Sequence, residues 1–171
     1  MSHGWRDLVG HHAWATTEIL TYCQGLDEET LKATAPGTYG TILETLQHMI
    51  DSEASYVFRL TGAWPTRLWP GDERVGLAVL AERSVVLAGE LECFLAGDWD
   101  DERLGEAYGD NEVFAVRAGV FLVQALHHAN EHRAHVCTIL GALGNEPPEL
   151  SAWAYALATG RMMPGTTTIK P

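Results

Sequence analysis

A chain of 171 residues, 46% hydrophobic and 20% charged, can bury one core of its own, whereas two domains of half that length would each be marginal. Eleven basic against twenty-three acidic residues give a net charge of −12, which repels phosphate backbones and anionic lipid, so neither nucleic acid nor a membrane is expected as a partner. Cys23, Cys93 and Cys137 form no C-x-x-C pair and indicate neither a disulfide framework nor a cysteine zinc site; with no signal-like leader and no apolar run near the roughly 20 residues that span a bilayer, the cytoplasm is the expected compartment.

The first predicted element is a helix from about Trp5 to Cys23, with Leu8, Val9, His12, Ile19 and Leu20 near helical spacing and Gly25 as its stop. Asp27 and Thr30 open a short turn. After Pro36 and Gly37, a second helical stripe takes in Tyr39, Ile42, Leu43, Leu46, Met49, Ile50, Val57 and Leu60, and closes near Gly62 and Pro65. Trp64 to Gly71 reads as a loop, its tryptophans and Trp99 stapling connections to the core or, as the alternative, lining a pocket at the bundle mouth. A third helix spans about Asp72 to Ala96, with Asp72 as cap and Leu77, Leu80, Val86, Leu87, Leu91 and Phe94 on its apolar side. Asp98 to Asn111 is acidic and irregular, a long crossover or flap. Glu112 to Arg117 then leads into a fourth long helix that ends at the Gly141 to Asn145 turn. A short C-terminal helix is expected around Leu150 to Ala158. The fold class is therefore all-α, a four-helix bundle of antiparallel helices over residues 1–160 with a tail at 161–171.

Chemistry concentrates in the fourth helix. At 100° per residue, Phe121, Ala125, His128, His132, His135, Ile139 and Ala142 fall within about 60° of one direction, so three histidines interrupt an apolar face. Residues four apart bring their Cβ atoms within about 5–6 Å, which lets His128 and His132 aim at one ion. His48 is a third candidate, but it lies on the polar side of helix two with Thr41, Glu44, Asp51, Ser52 and Ser55. That side is either a solvated face or the border of a wet cleft, in which Asp51 or Glu44 would orient the imidazole. Glu131, Asp51 and Glu44 are the candidate general bases, though acidic residues are plentiful and each reads first as a surface carboxylate or one supporting a ligand from behind, and no nucleophile stands out. Of the N-terminal histidines, His12 is the better candidate for the cleft.

Leu126 to His135, followed by Leu140 to Pro148, resembles the H-x-x-x-H-R-[GA]-[QH] segment and leucine-glycine-proline turn of the DinB superfamily. Thr41 to Phe58, with Leu43, Leu46, His48, Glu53 and Tyr56, looks like that family's second helix, and His12-Ala13-Trp14-Ala15 like its first-helix element. The resemblance implies a DinB-like bundle, often dimeric, with a divalent ion on His48, His128 and His132 and water on the ion's open side. His135 stands where the family more often has glutamine, and is either an additional ligand or a hydrogen-bonding neighbour. Three neutral imidazoles leave an ion its full charge and an open position, which suits a transferase using a low-molecular-weight thiol or a hydrolase of small molecules. The alternatives are a non-catalytic metal-binding stress or regulatory module and a structural bundle with no physiological metal. Zinc, nickel and iron all suit such donors. A homodimer is expected through Val123, Leu126 and Cys137 on the outer side of helix four.

Overall fold

The computed structural model describes residues 4–64, 74–109 and 112–163. Four long helices carry the fold: α1 (Gly4–Gln24), α3 (Ile42–Thr61), α4 (Leu77–Ala96) and α5 (Ala118–Ala142), with a single turn α2 (Glu28–Leu31) and a short α6 (Ala152–Ala158). The expected bundle is thus present, and its boundaries follow local chemistry. Asp27 caps α2 by accepting from the Thr30 amide. Thr41 and Glu44 close a reciprocal capping box at the start of α3, and Gly62, left-handed at φ 75°, ends that helix. Ser151 caps α6. Gly76 precedes α4 without a side-chain cap, and the expected Asp72 cap lies outside the described residues, as do Trp69 and most of the 161–171 tail.

Cross-helix contacts fix the arrangement. Arg74 meets Glu44, the Val75 amide meets Gln47, and Arg83 meets Asp51, so residue numbers rise together along α3 and α4. These two helices run parallel. His128 opposite His48 and Gln124 opposite Tyr56 make α3 and α5 antiparallel, whereas Thr16 with Arg133 belongs to a parallel α1 and α5. The order is up, down, down, up. Two parallel helices cannot be joined by a tight turn, so the crossover falls between α3 and α4 and not at 98–111, and the expectation of four mutually antiparallel helices is corrected.

The 98–117 segment holds instead an antiparallel hairpin, β1 (Leu104–Tyr108) on β2 (Val113–Arg117), with Leu104 opposite Arg117 and Tyr108 opposite Val113. The acidic run ahead of it hides strand-favouring Tyr108, Val113, Phe114 and Val116. Tertiary bonds hold it to the bundle: Arg59 donates to the Glu106 carbonyl at 2.6 Å, and Arg103 to that of Leu60 at 2.7 Å. Gly105 permits the approach, since a Cβ there would stand 2.9 Å from the Phe121 ring. The lead-in from Glu112 to Arg117 is the second strand of this hairpin, and the fourth helix begins directly after it at Ala118.

The core has two parts. Ile19, Leu20, Cys23, Leu46, Met49, Ile50, Leu80, Val136 and Ile139 fill one end, and Val9, Leu60, Leu91, Leu95, Phe121 and Leu122 the other. Cys23 is a packed thiol, pushed by burial up to about 12, with the nearby Cys137 adding to the shift. Trp99 packs on Phe94 as a staple. Of the three residues expected at a dimer contact, Val123 is exposed, while Leu126 and Cys137 are half-buried against the core. Among the described residues no helix is long and apolar enough to cross a membrane.

Candidate metal centre

The capping box sets where α3 starts, and nearly two turns on from Thr41, His48 leans across to α5. There His128 and His132, one turn apart, present their Nε2 atoms to the same point. His128 Nε2 lies 3.2 Å from His48 Nε2 and 3.0 Å from His132 Nε2. Two nitrogens each about 2.0–2.1 Å from a common ion, subtending 90–110°, stand about 2.9–3.4 Å apart, so these distances suit donors to one metal. The three donor atoms all lie within 4.8 Å of one another. Protons on all three Nε2 atoms would collide, so at least some of these nitrogens present lone pairs. The donor set therefore fits a divalent cation, as the spacing of the fourth-helix pair leads one to expect.

Burial favours the same neutral state. His132 is buried and held down to about 4, by desolvation first and then by His128, His48 and His135. His48 and His128 are half-buried and also lowered, mainly by desolvation; Asp51 opposes the shift at His48, and Glu131 and Glu53 oppose it at His128. Imidazoles depressed in the fold take up protons first in the unfolded chain. Their contribution to metal-free stability is therefore whole above pH ~6.5 and lost as pH falls through the folded values, toward about 4 for His132. Chemical denaturation of metal-free protein between pH 7 and 4 should show this loss, and His132→Gln should flatten it.

The other predicted site residues are distributed less simply. Glu44 belongs to the capping box and to an ion pair with Arg74 at 3.0 Å, and Asp51 accepts from the buried Arg83 at 3.0 Å. The expectation that either carboxylate orients His48 by a hydrogen bond is not met; Asp51 reaches it through charge alone. Glu131 is exposed and likewise acts on His128 and His132 through its field. His135 sits with its ring 5.4 Å from that of His132, outside the three-donor cluster. His12 does not open into the cleft: it is buried, and its Nε2 lies 2.9 Å from Glu53 Oε1.

Two tyrosines complete the surroundings. Tyr39 stacks on His48 with centroids 4.1 Å apart and meets His132 edge-on, and Tyr56 meets His128 edge-on at 5.7 Å. The periodicity assigns Tyr39 to the helix stripe, yet it stands in the loop before Thr41. The signal was present as Thr41-x-x-Glu44, a helix-start signature that leaves Tyr39 outside. Beside His48 a cavity of about 610 Å³ opens among Tyr39, Glu44, Gln47, Asp51 and Arg74. Two arginine–carboxylate pairs, Arg74 with Glu44 and Asp51 with the adjacent Arg83, make the described part of its wall polar.

The model of the DinB family matches residues 1–165. No curated protein matches the chain.

Proposed function

This chain belongs to the DinB family, and on that premise we propose that it holds one divalent cation on His48, His128 and His132 and serves a small-molecule reaction, with thiol transfer the best-supported class. The observation that carries the reading is the convergence of three Nε2 atoms at 3.0 and 3.2 Å beside a polar cavity. His48, His128 and His132 would hold such a cation with its double charge undiminished, which would make a water or thiol bound beside them more acidic.

What the chain's own residues do favours the thiol. Water is a far weaker acid than a thiol, so hydrolysis gains the more from a general base within hydrogen-bond reach of the attacking water. Glu44 and Asp51 are engaged with arginines, and Glu131 is exposed. A thiol deprotonated by a cation needs no such base. Tyr39 and Tyr56 wall the imidazoles with ring surface, and Tyr39 reaches the cavity mouth, where a small acceptor can lie against it. The same scarcity of a base is what a non-catalytic metal-binding module would display, so the two readings part on thiol binding.

The experiment is a thiol titration of cobalt(II)-loaded protein. A low-molecular-weight thiol should give a sulfur-to-cobalt charge-transfer absorption that His128→Ala removes. A spectrum indifferent to thiol at saturating concentration would favour the non-catalytic module.

A further inference from the structure

In the core behind the three imidazoles, hydrocarbon gives way to charge. His12 on α1 and Glu53 on α3 meet at 2.9 Å, each side chain 3% exposed. Arg133 on α5, equally buried, donates from Nη1 to Thr16 Oγ1 on α1 at 2.9 Å. The cluster's hydrogen bonding is incomplete: Glu53 Oε2 and His12 Nδ1 are buried without a hydrogen-bond partner among the described residues.

Such a cluster is a poor device for stability. Apolar side chains of similar volume in place of a buried ionic group are often neutral or stabilising. What buried polar groups can add is register, because their bonds form in one alignment of the helices only. Register is what this site requires. His48 comes from α3 and its two partners from α5, and a slide of one residue along a helix, about 1.5 Å, exceeds by far the ±0.2 Å tolerated in metal–ligand distances. Arg133 directly follows His132, and Glu53 lies one and a half turns beyond His48, so the cluster grips both ligand-bearing helices through α1.

We propose that Glu53, held by His12, and Arg133, held by Thr16, are positioning residues of the metal centre. They fix α3 against α5 in the alignment that makes the three nitrogens converge, and Glu53 supplies a buried counter-charge for the cation. The inference rests on the metal-centre reading above. Glu53 is buried on the helix that carries His48, and Arg133 is buried next to His132, so the cluster lies between the two ligand-bearing helices.

Cobalt(II) titration of the untagged full chain, paired with thermal unfolding of the metal-free protein, tests it. Glu53→Gln is nearly isosteric and keeps an oxygen for His12 while removing the charge. It should bind one equivalent with roughly ten- to a hundredfold weaker affinity and altered d–d bands, while its metal-free melting temperature is unchanged or higher. Thr16→Val, remote from the ion, should weaken binding in the same direction, and Thr16→Ser should restore it. If Glu53→Gln does not fold, the Thr16 pair decides. Wild-type affinity and superimposable spectra in the folded variants would overturn the positioning role and leave the metal centre standing. Affinity falling only in step with metal-free stability would also overturn it. Wild-type protein that takes up no cobalt would sink the metal centre itself, and this proposal with it.

Discussion

His132→Ala is expected to abolish stoichiometric binding of a divalent cation, with affinity falling by at least a hundredfold. This imidazole is the most buried of the three, and its Nε2 stands 3.0 Å from that of His128. Its loss leaves His48 and His128, a two-donor site between different helices, beside a void that admits water. His135→Ala removes a ring packed against His132 without removing a member of the donor cluster, and should leave most of the binding intact. Competition against a chromophoric chelator at pH 7.5 distinguishes the two variants. Equal loss in both would make His135 a ligand and recast the site as four imidazoles.

Metal should raise the melting temperature by about 5–10 °C. Free cation at ~100-fold over its dissociation constant stabilises the fold by about 2.7 kcal/mol if it ignores the unfolded chain. A domain of this size moves by roughly 2–4 °C per kcal/mol. The ion ties α5, which carries two ligands on one turn, to α3, which carries the third. The increment should shrink as pH falls, because protons compete for the same nitrogens. The low value at His132, about 4, places most of that nitrogen's own proton competition below the range of free imidazole. Differential scanning fluorimetry with and without zinc at several pH values reads both effects. A melting temperature indifferent to zinc at pH 7.5 would contradict the cross-link.

Much of this architecture was legible because helices announce themselves by period. The four long patterns fall within a few residues of α1, α3, α4 and α5 over most of their ends. Direction was not legible. Nothing in the period of α3 or α4 says that they run parallel; that follows from contacts such as Arg83 with Asp51, between residues 32 apart in the chain. The hairpin was missed because Leu104 to Arg117 mixes strand formers with acids and glycines, and its stability comes from Arg59, Arg103 and Phe121 on other elements.

At the site, the spacing of His128 and His132 spoke for itself, since four residues is one turn. His48 did not. It shares its helix face with Glu44 and Asp51, and only the packing of α3 on α5 turns that face toward a cavity. The wheel for α5 was also rotated. The expected inward residues Phe121, Ala125, His132 and Ile139 are buried, but the core side extends round to Leu122, Ala129, Val136 and Leu140, leaving His128 and His135 at the border and Ala142 exposed. Arg133 falls inside, against ordinary expectation for an arginine, where Thr16 on a neighbouring helix accepts a hydrogen bond from it. No local pattern in the sequence encodes such a pairing.

The most direct test is anomalous scattering from crystals of untagged protein loaded in turn with zinc, nickel and iron. One strong peak should lie about 2.0–2.1 Å from Nε2 of His48, His128 and His132. A structure of the loaded protein with the ion elsewhere, or with His48 turned away into solvent, would contradict the three-histidine centre.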